Sequence, residues 1–170
     1  TEASDLKAIQ YHYDVSNEFY AEWLDPAMVY SCAYFEHGNE TLAEAQQKKI
    51  DHILTKLRLQ PGQRLLDIGC GWGALVAHMA KYYGVETTGV TIAQAGADWA
   101  NRQIKEYGAE GKARILRMDY RDIPRDRKYD KITCLEMAEH VGIKYFKKFM
   151  QQIYDMLEDD GLFYMQIAGL

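Results

Sequence analysis

No apolar run in this sequence approaches the ~20 residues that a helix needs to cross a bilayer, so the segment is expected to be soluble or to lie at a membrane surface. Cysteine is sparse as well. Cys32, Cys70 and Cys134 are an odd number at wide spacing, with no C-x-x-C pair and no secretory leader before them. That pattern argues against a disulfide framework and suits reduced thiols in a cytoplasmic setting. Nor is there an excess of positive charge. Twenty Lys and Arg stand against 25 Asp and Glu, a net charge of -5, which argues against a general nucleic-acid binder. Internal repeats, linkers and low-complexity tracts are also missing. What is present, 48% hydrophobic and 26% charged residues over 170 positions, suits one globular domain with a sizeable core. The chain opens without Met and closes on "GLFYMQIAGL", which reads as a strand and the start of a loop, so a piece of a longer protein is expected.

Residues 1–60 read as helical. Aromatics crowd into "YHYDVSNEFYAEW" and "VYSCAYF". Ser16 can cap a helix carrying Phe19, Tyr20, Trp23 and Leu24, with Pro26 just past its end. In "TLAEAQQKKIDHILTKL", Thr41 and Glu44 form a capping-box pair, and Leu42, Ala45, Ile50, Ile53, Leu54 and Leu57 line one face. From Pro61 the pattern changes to short apolar runs alternating with helical segments. Strands are expected at Arg64 to Ile68, Glu86 to Thr91, Ala113 to Met118, Lys131 to Leu135 and Leu162 to Ile167. Helices should end near Gly84, near Gly108 and before a turn at Glu158 to Gly161. This alternation predicts a doubly wound α/β domain on a parallel sheet, over residues 61–170, with residues 1–60 as a helical cover.

The stretch "LLDIGCGWGA" puts Gly69, Gly71 and Gly73 at the carboxyl end of the first strand, where ligands of such folds bind. A dinucleotide reading has Gly69, Gly71 and Ala74 satisfying G-x-G-x-x-G/A, but an acid about 20 residues on should then hold the ribose. Thr91 stands there instead. A plain tight turn without a ligand is a second reading. In a third, Asp67 extends the loop to D-x-G-x-G-x-G, which resembles the first motif of class I S-adenosylmethionine-dependent methyltransferases. Downstream, "RMDYRDIP" sets Asp119 at the end of the third strand, able to accept from an adenine amine, with Tyr120 beside it to cover the ring.

The segments "YHYDVSNEFYAEWLDPAMVYSCAYF", "LDIGCGWG", "GVTIA", "MDYRDIP" and "EMAEHVG" resemble the cyclopropane fatty-acid synthase group of S-adenosylmethionine-dependent lipid methyltransferases, over essentially the whole chain. The later half looks most like the sphingolipid C9-methyltransferase branch. The resemblance implies a Rossmann-like class I methyltransferase sheet under an N-terminal helical cover, stopping after the fifth strand. It implies that Tyr30 and Ser31 meet the cofactor's methionine end, with Asp67, Gly69, Gly71 and Gly73 beneath it. Thr91 would meet the ribose, and Asp119 with Tyr120 the adenine. Cys32 and Glu139 fall on positions that surround a bicarbonate ion in the synthases. Three residues depart from the family pattern: Gly96 for a Gln near the ribose, Gln166 for a His at the bicarbonate site, and Glu136 for a Gly just after the fourth strand.

By this resemblance the chain is an S-adenosylmethionine-dependent C-methyltransferase acting on a double bond in a lipid acyl or sphingoid chain. Alkene attack on a sulfonium methyl leaves a carbocation, which aromatic faces can shelter. Removing a proton from the new methyl closes a cyclopropane; removing one from a neighbouring carbon leaves a methyl branch. Glu139 is the candidate base, directly or through bicarbonate. His140 could titrate near neutrality, but an imidazole bonded to the backbone fits it better. Gln166 keeps hydrogen bonding without a titratable group and favours branching over ring closure. Cys32, with no cation or helix terminus evident to activate it, is given a wall or backbone role. In "KYFKKFM", Lys144, Lys147 and Lys148 beside Tyr145, Phe146 and Phe149 fit a membrane-facing stretch, or a helix that buries its rings and solvates its lysines. Two alternatives stay open: methylation of a small amine on the same fold, and a segment that binds cofactor or lipid without turnover.

Overall fold

The computed structural model describes residues 16–168; Tyr11 and Tyr13 of the aromatic cluster, and the closing Gly169 and Leu170, lie outside them. Helix α1 (Asn17–Ala21) is capped by Ser16, whose hydroxyl accepts from the Phe19 N–H at 3.4 Å. Helix α2 (Leu42–Leu57) starts on the expected capping box. The Glu44 N–H donates to Thr41 Oγ1 at 3.3 Å and the Thr41 N–H to Glu44 Oε2 at 2.8 Å. Ala45, Ile50, Ile53, Leu54 and Leu57 are buried as expected, whereas Leu42 is exposed. It occupies the first helical position, where a side chain leans back past the helix end. The same face also buries two polar residues, Gln46 and Lys49.

Five parallel strands follow: β1 (Arg64–Ile68), β2 (Glu86–Thr91), β3 (Ala113–Arg117), β4 (Tyr129–Leu135) and β5 (Leu157–Gln166), in the order β3-β2-β1-β4-β5. Helices α3 (Ala74–Tyr83), α4 (Gln94–Glu106) and α5 (Ile143–Met156) connect them. Alternation along β1 shows how the sheet is sandwiched. Leu65 packs with Ile50, Ile53, Leu54 and Leu57 of α2 and with Leu75 and Met79 of α3. Leu66 and Ile68 pack with Phe149, Ile153 and Met156 of α5. A strand buried on both faces reads as a continuous apolar run, which is why "RLLDI" was legible.

The turn expected at Glu158 to Gly161 lies inside β5. Leu157 already pairs with Tyr129, and the next pair joins Lys131 to Leu162, so the four residues loop out of the ladder as a bulge. Gly161 permits this, since a Cβ there would fall 2.8 Å from the Glu158 carbonyl oxygen. Among the described residues no helix is long and apolar enough to cross a membrane.

Candidate functional site

Strand order reverses between β1 and β4, and a cavity of about 390 Å³ opens at their carboxyl ends. Such a crevice is where ligands enter doubly wound sheets, and the volume is within the ~300–1,000 Å³ usual for small-molecule sites. The glycine loop forms its floor. Gly69, Gly71 and Gly73 all have positive φ, at +80°, +54° and +74°. Their surroundings differ. A Cβ on Gly69 would sit 2.7 Å from Met137 Cβ, and one on Gly73 would sit 2.5 Å from Ala100 Cβ. Those two glycines answer to protein packing, and Gly73 is not on the cavity wall at all. A Cβ on Gly71 would meet nothing within 4 Å, so its bare backbone faces the cavity. Gly96 also has a packing reason: its Cβ would fall 2.7 Å from the Gly71 carbonyl oxygen.

Asp67 lines the cavity from below, almost wholly buried, accepting from Thr133 Oγ1 at 2.8 Å. Burial pushes its carboxyl up to about 6, against the opposing effects of the Thr133 hydroxyl and the Lys49 charge. Thr91 lines the wall, with its hydroxyl accepting from the Ala93 N–H at 3.3 Å. Asp119 reaches the cavity, but Arg121 forks onto it: Nε donates to Oδ1 at 2.8 Å and a terminal nitrogen to Oδ2 at 2.6 Å. That contact holds the carboxyl below its usual range despite partial burial. Tyr120 lines the same end, its ring edge-on to Phe149 with centroids 5.3 Å apart.

The segment before α2 forms the opposite wall with Tyr30 and Ser31. It is held from two sides. Asp25 accepts from the N–H groups of Ala27 and Val29, and the Gln46 amide donates to the carbonyls of Val29 and Ser31. Tyr30 joins an aromatic group with Tyr20, Trp23 and Trp72; the Tyr20–Trp72 centroids lie 4.7 Å apart and Trp23–Tyr30 5.4 Å.

The four candidates for the chemistry separate. His140 lines the cavity, and its backbone N–H donates to the Met137 carbonyl. Glu139 does not line it; its carboxylate accepts from the Ala168 N–H at 2.6 Å. Its one-turn helix, Ala138–His140, turns successive side chains to different sides, so the neighbours part. Cys32 and Gln166 are also off the cavity wall, but both reach Glu136, which is on it. The Cys32 backbone N–H and the Gln166 amide each donate to Glu136 Oε1 at 2.9 Å. The Cys32 thiol is raised first by its hydrogen bond to Glu136, then by that carboxylate's charge and by burial.

Lys49 is a residue that the sequence reading missed. Its Nζ donates to Ser31 Oγ at 2.5 Å, and burial pulls the ammonium down to about 8 against the opposing charges of Glu136, Asp25, Cys32 and Asp67. In "QQKK" it reads as one of two solvated lysines. The available signal was its register, four residues after Ala45 and four before Ile53, which sets it on the buried stripe.

Comparison with known proteins fits this geometry. The sphingolipid C9-methyltransferase of Komagataella phaffii is 44% identical over 99% of this chain and 36% of its own length. A probable fatty acid methyltransferase of Pseudomonas putida is 42% identical over 94% of this chain and 40% of its own. Among solved structures, mycolic acid cyclopropane synthase CmaA1, complexed with SAH and CTAB, is 36% identical and superposes with a TM-score of 0.88, covering 94% of this chain and 55% of that one. The chain thus spans a little over a third of the length of these curated relatives. The sequence model of one family, mycolic acid cyclopropane synthetase, matches residues 1–169, and the chain belongs to that family.

Proposed function

We propose that the protein transfers a methyl group from S-adenosylmethionine to an alkene carbon in a lipid acyl or sphingoid chain. The observation that carries this reading is Gly71, a bare backbone facing a cavity at the point where the sheet reverses. A cofactor without a pyrophosphate needs close approach to backbone rather than a phosphate cradle, and Thr91 in place of an acid disfavours the dinucleotide alternative. The names of the relatives, methyltransferases of sphingolipids and fatty acids and a cyclopropane synthase, support a lipid chain as the acceptor of the methyl group.

When bound, S-adenosylmethionine supplies an electrophilic sulfonium methyl. Tyr30 and Ser31 are proposed to border its methionine end, with Asp67, Gly69 and Gly71 below. Thr91 would bond the ribose, and Asp119 and Tyr120 the adenine. Residues 1–60 act in this reading as the cover of the site and residues 61–170 as the cofactor domain; Met28 to Ser31 on the cavity wall support that division. Tyr30 and Trp72, both on the cavity wall, offer faces worth about 0.5–2 kcal/mol each to a developing cation.

The bicarbonate ion implied by the resemblance does not fit here. At the positions that the resemblance puts around it, the Cys32 backbone N–H and the amide of Gln166, which stands in place of a His, are both taken by the Glu136 carboxylate. The acceptor's approach from a lipid surface is supported by α5. Ile143 is 98% exposed, Lys144 and Lys147 are exposed, and Tyr145 and Lys148 line the cavity mouth. Phe149, by contrast, is buried against the sheet.

The test is calorimetric titration with S-adenosylhomocysteine, followed by incubation with S-adenosylmethionine and unsaturated phospholipid or sphingolipid vesicles. Saturable binding and a lipid product heavier by one CH₂ unit are expected. A folded protein that binds no S-adenosylhomocysteine would sink the reading.

A further inference from the structure

Glu136 stands immediately after β4 with φ +51°, in the left-handed region. A non-glycine residue there costs about 1 kcal/mol or more, so glycine is the cheap choice and glutamate needs a reason. Glu136 lines the cavity. Two donors bond its carboxylate, the Cys32 N–H from the cover segment and the Gln166 amide from β5, and the buried Lys49 ammonium of α2, anchored on the hydroxyl of Ser31, acts on it through its charge. Burial pushes the Glu136 carboxyl up. The Cys32 N–H and thiol, the Gln166 amide and the Lys49 charge together outweigh burial and hold it below the usual glutamate range. An ionised carboxylate therefore faces the cavity at neutral pH, next to the wall formed by Tyr30 and Ser31. Asp25 and Asp67 face Lys49 in turn, and Asp67 and His140 line the same cavity.

We propose that Glu136 is the base of the methyl-transfer reaction, taking the proton that the alkylated substrate must lose, and that Lys49 is its positioning residue. This rests on the C-methyltransferase reading above. The alkene π pair forms the bond to the transferred methyl, and the S–CH₃ pair stays on sulfur as the neutral thioether. The adjacent carbon is left electron-deficient. Glu136 then accepts a proton from a neighbouring carbon, and that C–H pair becomes the new double bond; if the proton comes from the transferred methyl, the pair closes a ring. Glu136 leaves as the carboxylic acid and returns the proton to solvent. No separate anion is required, in keeping with the donors already spent on Glu136. Glu139, off the cavity wall and bonded to the Ala168 N–H, is not in line for this step.

The experiment uses the full chain, with S-adenosylhomocysteine binding measured beside turnover. Glu136→Gln should lower turnover of unsaturated lipid by about 100-fold or more and leave S-adenosylhomocysteine affinity within about three-fold. Turnover within about three-fold of the parent would overturn the proposal. Failure of the unsubstituted protein to bind S-adenosylhomocysteine would instead overturn the underlying reading. Bicarbonate added to carbon-dioxide-free buffer should leave the parent rate unchanged; a several-fold rise would count against Glu136. A readout independent of turnover follows from Lys49. The infrared difference between parent and Glu136→Gln isolates the Glu136 carboxylate band, which disappears on acidification. In Lys49→Met that loss, and the acid limb of the rate profile, should move to higher pH, and Lys49→Arg should restore both. A merely structural Lys49 would lower the rate without moving either.

Discussion

Strands β1 and β4 end side by side, and the chain leaves each through a residue of positive φ: Gly69 at +80° and Glu136 at +51°. The same backbone geometry serves opposite ends. After β1 the chain drops its side chains, two glycines being required by packing against Met137 and Ala100 and one, Gly71, left open to the cavity. After β4 it keeps a carboxylate in a conformation that favours none. The acids on the two sides are also driven apart. Burial raises Asp67 of β1 to about 6, while the donors around Glu136 hold that group low. Two carboxyls separated in this way can take different roles in one cavity.

The contrast among the glycines can be broken most forcefully at Gly73. Gly73→Ala combines a left-handed alanine with a Cβ 2.5 Å from Ala100, and should cost about 3 kcal/mol of stability in urea unfolding. Affinity for S-adenosylhomocysteine in the folded fraction should hardly change. Next in size is Asp67→Asn. A carboxyl raised above its unfolded value contributes stability that is present below about 4 and lost as pH rises through about 6. The parent should therefore lose on the order of 2 kcal/mol across that window, and the variant, which can still accept from Thr133, should lack the slope. Unfolding midpoints at pH 4, 6 and 8 would check this.

Gly71→Ala inverts the Gly73 pattern. With no atom within 4 Å of its Cβ, it should lose only about 1 kcal/mol of stability, yet S-adenosylhomocysteine should bind about tenfold more weakly, a change of roughly 1.4 kcal/mol. Equal effects at Gly71 and Gly73 would dissolve the distinction between them. The smallest effect is expected at Glu136→Gly. Relief of the left-handed strain offsets the two lost hydrogen bonds, leaving stability within about 1 kcal/mol of the parent. A much larger loss would mean that Glu136 is retained for folding.

Much of the fold was legible because the strands are buried on both faces. "RLLDI" and "ETTGVT" have the bounds expected for them, and the capping box at Thr41 and Glu44 is a local device that needs no distant partner. The change of direction at Glu158 to Gly161 stands where expected but inside a strand, and that difference had another origin. Turn residues mark a change of direction equally well between elements and as a bulge, and only pairing with β4 distinguishes the two. At the site, the glycines were visible but their separate reasons were not, since Met137 and Ala100 approach from distant parts of the sequence. Glu136 was visible only as a departure from a pattern.

The sequence by itself determined the alternation of strand and helix, the loop that floors the cavity and the residue types available for its walls, because periodicity, capping and glycine spacing are local. Tertiary structure decided which carboxylate faces the cavity and what holds it. Glu139 and Glu136 are three positions apart and chemically alike, but Cys32, Lys49 and Gln166 come to Glu136 from more than 100, 87 and 30 residues away. Partners at such separations meet only when the sheet has brought α2, β4 and β5 together.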